Sequence, residues 1–356
     1  MSKNTTILSL HRNMFTREKL PLYAFGSTQV NLFAYASGVE AVEVKIGDAS
    51  YIWLPFLGNQ LWDWTIAGVS QKFDGFVPEP AYHKDFLENY GGFLIHCGLT
   101  AMGNPTKDDE HIQHGELPIA DFDKAWLEID PNAESFPILL CGEKIFHIPF
   151  VASYVFKPKL SLHSSGHFAI MDGEVTNMAK TVFPYMYLAH INFAYPKHGS
   201  LEYGIKKVDA KSVEILEEVI DGVTANPALM LKLDKATVYD PELVAIMNHA
   251  KDAPATLENP NHMLNMMYTA DGSMYWVAFD TNPLDHTVVW LTQTPDRSAC
   301  GFTLPATGGP TGLTSETKRG TIKYLDPGKK VHLRYAFGYS QDNSTKDAVN
   351  ACKYFT

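Results

Sequence analysis

Turn signals cut this chain into short apolar or alternating runs, and that punctuation restricts it to a fold made mainly of strands. Gly (25) and Pro (21) are scattered along the whole length instead of pooling in a linker. Aromatic residues reach 12%, and β-branched or aromatic runs bounded by turn residues are the signature of strands. Val42-Glu43-Val44-Lys45-Ile46 alternates, and Gly47-Asp48 turns it into Tyr51-Ile52-Trp53-Leu54. Gly92 to Cys97 reads as a strand ending at Gly98. Further strands are expected over 146–150, 152–156, 160–163, 167–171, 274–279, 287–292 and 330–337. Asp326-Pro327-Gly328 is a turn signature before the last of these.

One stretch has a different period. Val213, Leu216, Val219 and Ile220 fall at helical spacing, with Ser212 as N-cap and Gly222 as stop. Asp240-Pro241 then opens Glu242 to Met247 as a second helix with Pro in its first turn. The expectation is one all-β domain over 1–356, a large antiparallel sandwich carrying a small helical insertion at about 209–253.

Composition removes several function classes. Hydrophobic residues make up 45% and charged residues 19%, enough apolar material for a packed core. The formal charge of −11 lacks the basic footprint of a nucleic-acid binder and would be repelled by anionic membrane surfaces. Four widely spaced cysteines without a CxxC pair give neither a disulfide framework nor a zinc finger. The first twenty residues lack the apolar region of a secretory signal, and no apolar run approaches a membrane span. A cytoplasmic protein with reduced thiols is expected. No GxGxxG, P-loop, GxSxG or HExxH pattern occurs, so the sequence offers nothing for Rossmann hydride transfer, P-loop phosphoryl transfer or a nucleophile-elbow hydrolase.

Fourteen histidines supply the candidate chemistry. In Asp108-Asp109-Glu110-His111-Ile112-Gln113-His114-Gly115-Glu116, a strand would put Glu110, His114 and Glu116 on one face. A loop would let all these groups converge as an acid/base or metal site, or remain a solvated acidic edge. His190 and Asn192 share one face of an otherwise apolar strand, so each needs a partner if buried, either a ligand or the backbone. Trp53 to Trp64 mixes three tryptophans with Asn59, Gln60 and Asp63, a composition suited to sugar rings or to a core edged by turns. His163, His167 and His286 are available as ligands, but no spacing singles them out.

Several segments together resemble the galactose-mutarotase-like superfamily, and within it the divergent branch called aldose 1-epimerase family proteins. Gly91-Gly92-Phe93-Leu94-Ile95-His96-Cys97-Gly98-Leu99 resembles that branch's GG…CGL strand. His114-Gly115 with Pro118-Ile119-Ala120 resembles its H-G…P-A segment, and His190-Ile191-Asn192-Phe193 its H-x-N-aromatic strand. Gly301 to Thr307 falls where the branch has G-x-x-E-P-x-T, and Leu325-Asp326-Pro327-Gly328 resembles its closing turn. The matches run in family order from about residue 90 to the C-terminus.

The resemblance implies a β-supersandwich with a sugar cleft and no required cofactor. It implies His114 as a substrate-orienting imidazole and His190 as the acid that protonates the ring-oxygen region. The family's late Glu, which takes the anomeric hydroxyl proton, falls on Leu304, so another carboxylate must act. Glu116 is nearest in sequence; Glu202, Glu258, Asp280 and Asp285 are further candidates. Substrate contacts are expected from His96, Asn192, Trp62, Asp280 and Arg297, the last being one of few cations near the motifs beside Lys197, Lys206 and Lys207.

Three readings follow. The leading one is an epimerase or isomerase of a free monosaccharide or sugar acid, with Glu116 as base. The second is a metal-dependent isomerase in which His96, His114, Glu116 and His190 hold a divalent ion. The third is a non-catalytic carbohydrate binder, favoured by the loss of the late Glu.

Overall fold

The computed structural model describes residues 5–82, 85–249, 257 and 259–355. Two large antiparallel sheets face each other. The smaller, of ten strands, runs in the order Thr6–Leu10, Lys124–Ile129, Ile138–Ile148, Ala152–Leu162, Phe168–Asn177, Lys330–Ser340, Met274–Asp280, His262–Thr269, His198–Glu202, Lys232–Asp234. The larger, of thirteen, has Phe183–Ile191 near its middle, with Leu94–Leu99 on one side and Ser298–Ala306, His286–Gln293 and Tyr239–Asn248 following on the other. Both sheets take strands from early and late in the chain. The α-helices among the described residues, Leu313–Arg319 and Lys346–Cys352, are short. No helix there is long and apolar enough to cross a membrane.

The layer between the sheets is aromatic. Trp64 and Phe93 of the larger sheet meet Phe337 of the smaller with ring centroids 5.1–5.5 Å apart, tilted or edge-on. Tyr51 stacks on Trp64, and the hydroxyl of one (2.7 Å) and the indole N–H of the other (3.2 Å) both donate to the Gly166 carbonyl. Two buried polar tips thus find their acceptor in one turn of the opposite layer. A Cβ at Gly166 would sit 2.6 Å from the Ala49 side chain, and its φ of +75° favours glycine.

The expected helical insertion is not helical. Residues 209–249 form the strands Glu214–Ile215, Val219–Ile220, Val223–Thr224, Lys232–Asp234 and Tyr239–Asn248, with a short 3-10 turn at Pro227–Met230; positions 250–253 lie outside the described residues. Asp221 (φ 48°) and Gly222 (φ 74°) make a two-residue hairpin turn, where the sequence reading had a helix stop. The Ser212 hydroxyl bonds the Lys207 and Asp209 carbonyls instead of capping a helix. Pro241 lies at a register shift between Tyr239 and Leu243, where a strand tolerates a residue lacking N–H. The continuous apolar run 243–247 is that of a strand buried on both faces, which periodicity alone does not separate from a helix.

His96 belongs to the inter-sheet layer, not to a binding site. It is fully buried, its Nδ1 lies 2.6 Å from the Tyr187 hydroxyl, and that hydroxyl lies 3.0 Å from Tyr335 of the opposite sheet. Its Nε2 has no hydrogen-bond partner. Burial lowers its pKa from 6.5 to about 3. The unfolded chain binds a proton that the folded chain refuses, so this contribution to stability is complete above pH 6.5 and falls as pH drops toward 3. Urea unfolding of the protein should therefore show a loss of about 2 kcal/mol from His96 between pH 7 and pH 5. His96→Phe should remove that share of the pH dependence, and an unaltered dependence in the variant would contradict the assignment.

Candidate active site

Alternation along Phe183–Ile191 separates core from site. Tyr187 and Ala189 share their face with His96 and point into the inter-sheet layer. Leu188 and His190 point the other way, onto the face of the larger sheet turned from its partner. There they floor a cavity of about 180 Å³ together with Leu304, Val288, Trp290 and Glu242 from the three neighbouring strands. The turn Phe86–Tyr90, His114 and Glu217 close it from above.

His190 is held by a determinate set of hydrogen bonds. The Asn192 amide donates through Nδ2 to the Gly92 carbonyl (2.9 Å), which turns Oδ1 toward His190 Nδ1 at 2.7 Å. The Tyr90 hydroxyl donates to the same Oδ1 at 2.8 Å and lies 3.2 Å from the Nδ1. An acceptor against Nδ1 assigns the proton of the neutral ring to that nitrogen and leaves Nε2 as a proton acceptor. Burial lowers the His190 pKa to about 4, only partly opposed by the Asn192 bond. Asn192 is thus a positioning residue behind the imidazole.

His114 reaches the cavity from a loop pinned beneath it. Its backbone is left-handed (φ 60°), its N–H donates to the Gly103 carbonyl and its C=O accepts from Gly98 N–H, both at 2.9 Å. The following Gly115 is obligatory, since a Cβ there would lie 2.2 Å from the Ala101 carbonyl oxygen. The His114 ring meets His190 at a centroid separation of 5.4 Å, nearly perpendicular, and Phe86 at 4.9 Å. Burial first, then the neighbouring His190 and His111, press its pKa well below 6.5. Its Nδ1 is buried without a partner.

Glu116 does not face the cavity with His114. Its Oε1 accepts the Leu99 N–H (2.9 Å), the Thr100 N–H (3.0 Å) and the Tyr154 hydroxyl (2.6 Å), and its Oε2 the Thr100 hydroxyl. With every strong acceptor direction taken, it anchors the loop that carries His114. The rest of the acidic stretch does not converge either. Asp109 accepts from Thr106 and Thr314, holding the loop to the helix Leu313–Arg319, and His111 Nε2 accepts the Leu313 N–H.

The other expected contacts disperse. Trp62 is packed among Val39, Ala41, Leu54 and Leu57, with the Lys72 ammonium 4.5 Å from its ring. Asp280 ends a strand of the smaller sheet, accepting the Asn282 N–H. Asp285 bonds His286 and Lys323, Glu202 ends the strand His198–Glu202 of the smaller sheet, and Glu258 lies outside the described residues. Arg297 lines a second cavity beside the first. Among the described residues no three His, Cys, Asp or Glu side chains converge as a metal site. The proposed set fails because His96 faces the core and Glu116 is bound to backbone N–H groups.

Two carboxylates that sequence reasoning missed do line the cavity. Glu217 accepts the Val244 N–H at 2.9 Å, and burial together with the nearby Glu242 raises its pKa. Glu242 follows Pro241 on the strand that was read as a helix, which hid the face it shares with Val244. Tyr90 was legible only as the residue before the GG motif, and Trp290 only as part of an alternating strand. Leu304 also faces the cavity, so the position the resemblance assigns to the late Glu is inside the site and apolar. In ¹⁵N NMR, His190 should be a neutral, Nδ1-protonated ring at pH 7. Asn192→Asp should raise its pKa, and an unchanged titration would break the link between the two residues.

Residues 36–338 match the family described as "Domain of unknown function (DUF4432)". No curated protein sequence matches the chain. Among solved structures, a Klebsiella pneumoniae protein provisionally named an aldose 1-epimerase is 16% identical, with TM-score 0.81 over 99% of this chain and 96% of that one. A galactose mutarotase-like protein from Clostridium acetobutylicum (11% identity, TM-score 0.59, 88% and 99% covered) is also similar. So is one from Lactobacillus casei (12%, 0.57, 84% and 100%). At these identities the likeness establishes the fold, which is galactose mutarotase-like. With the match spanning most of its length, the chain belongs to the DUF4432 family.

Proposed function

We propose that this chain is an isomerase of the aldose 1-epimerase type, acting by proton transfer at the anomeric carbon of a free monosaccharide. The observation that carries this reading is the meeting of His114 and His190, from separate segments, across one small cavity. His190 Nε2 takes the anomeric hydroxyl proton while the bond from the anomeric carbon to the ring oxygen breaks. That oxygen takes the proton from the His190 imidazolium, while neutral His114 steadies it through its Nε2–H. Its unpartnered Nδ1 is the cheaper nitrogen to leave bare, because an orphaned donor is rarer than an orphaned acceptor. Reclosure on the other face of the carbonyl runs the same proton transfer backward and yields the second anomer.

This exchanges the role that the resemblance gives His190, because the Asn192 acceptor leaves no donor on Nε2. It also replaces Glu116 with Glu217 and Glu242, which accept hydrogen bonds from sugar hydroxyls and stabilise the transient imidazolium. Two carboxylates in the cavity disfavour a sugar acid and favour a neutral sugar.

NMR of aldoses in D₂O tests the reading. Anomer exchange with no carbon-bound deuterium is expected. Deuterium at C2 would indicate an enediolate route instead, and binding without exchange a carbohydrate-binding protein. His190→Ala and His114→Ala should each lower kcat by about 10²-fold or more, whereas Glu242→Gln should act chiefly on KM. Because His190 is held near 4, it is already neutral at pH 5.5, and kcat/KM should stay flat from there to pH 8. A loss of rate on raising pH through 6–7 would mean that an imidazolium is the working form.

A further inference from the structure

Beside the inner cavity lies a second one of about 510 Å³, and the two share Leu87, Tyr90, Glu242 and Trp290 as walls. Trp290 stands between them. Its ring meets His190 at 5.4 Å on one side and Phe73 at 6.4 Å on the other. The inner cavity, at about 180 Å³, is smaller than the roughly 300–1,000 Å³ usual for ligand pockets, and takes one small ring. The outer one falls inside that range.

The outer wall is built, not incidental. Phe76 is 73% exposed and Leu87 64% exposed, both against this cavity. Phe76 holds a left-handed backbone (φ 63°), a conformation that bulky residues seldom adopt and that recurs at ligand clamps. The segment beneath it is fixed, because Asp74 exchanges two 3.2 Å backbone hydrogen bonds with Ser298. Gly75 permits the packing, since a Cβ there would lie 2.3 Å from the Phe73 ring. An exposed aromatic lining the same cavity as Trp290 offers a flat face of the kind that stacks on the C–H faces of a sugar.

The charges decide what kind of ring. Asp240, Glu242 and Asp296 line this cavity against one guanidinium, Arg297, whose Nε donates to the Thr292 hydroxyl at 3.3 Å. A net acidic wall repels phosphate or uronate and offers acceptors to neutral hydroxyls.

We propose that the outer cavity is a second saccharide subsite, so that the preferred substrate is a neutral reducing disaccharide whose reducing ring enters the inner cavity. This deepens the proposed function and rests on it for the inner ring. The test compares the full chain on glucose, galactose, mannose and xylose with 1→3-, 1→4- and 1→6-linked neutral disaccharides ending in each. Anomer exchange is read by NMR and binding by calorimetry. At least one disaccharide should exceed its reducing-end monosaccharide about tenfold in kcat/KM, and Phe76→Ala should bring that ratio to within twofold of one. Phe76 is exposed, so its truncation leaves the buried core intact, and circular dichroism checks the fold. Turnover of monosaccharides with no disaccharide advantage would overturn the subsite and leave the function standing. Disaccharide binding weakened by Phe76→Ala, with no exchange for any sugar, would support the subsite and overturn the isomerase reading. Neither binding nor exchange would overturn both.

Discussion

The period of two along Phe183–Ile191 is the constraint on which the rest of the molecule depends. The strand is buried on both faces, so every side chain on it must serve one of two environments. Tyr187 takes the inward face and joins His96 and Tyr335 into a polar link between the sheets. Three residues on, His190 takes the opposite face and becomes the floor of a cavity. A slip of one residue would bury His190 between the sheets and turn Tyr187 outward. The inter-sheet hydrogen bonds that reward Tyr187 in one position therefore also hold His190 in the other.

The all-β class and strands such as those over 42–46, 274–279 and 330–337 were legible, because alternation and turn residues act locally; Thr28–Ala34, Lys124–Ile129 and His262–Thr269 were not among the strands expected. The segment 209–249 was not, for a specific reason. A run such as Leu243 to Met247 is apolar on both faces, so it carries no alternation, and a Pro at its start mimics a helix's first turn. Asp221-Gly222 did announce a hairpin, but only if read as turn chemistry and not as a helix stop. That one misreading also concealed Glu217 and Glu242. His114 was legible through the resemblance, and His190 through the resemblance and through its place with Asn192 on an otherwise apolar strand. The place of Glu116 was not, because its partners, the Leu99 and Thr100 N–H groups and Tyr154, come together only in three dimensions. The outward position of Trp290 is likewise a matter of which sheet face is covered.

The net charge of the chain gives no guide to its site. An acidic protein would be expected to hold histidines protonated, yet burial presses His96, His114 and His190 the other way. Desolvation outweighs the distant carboxylates because screened charges act weakly beyond about 10 Å while burial acts at the atom itself. The same burial raises Glu217. Burial thus moves the imidazoles down and the Glu217 carboxyl up in affinity for a proton.

Leu304 stands in the cavity at the position where the resemblance places the family's late Glu. It lines the floor of the cavity together with His190 and makes that part of the floor apolar. A carboxylate at that position would have offered His190 a competing charge and raised its pKa. With leucine there, the carboxylates of the cavity stand elsewhere, Glu242 two strands away on Tyr239–Asn248 and Glu217 on a loop. Negative charge is kept in the cavity but moved toward its outer wall, where Glu242 is shared with the second cavity. Acceptors for hydroxyl groups thus stand on both sides of the cavity, His190 Nε2 and Glu242 on its floor and Glu217 above them.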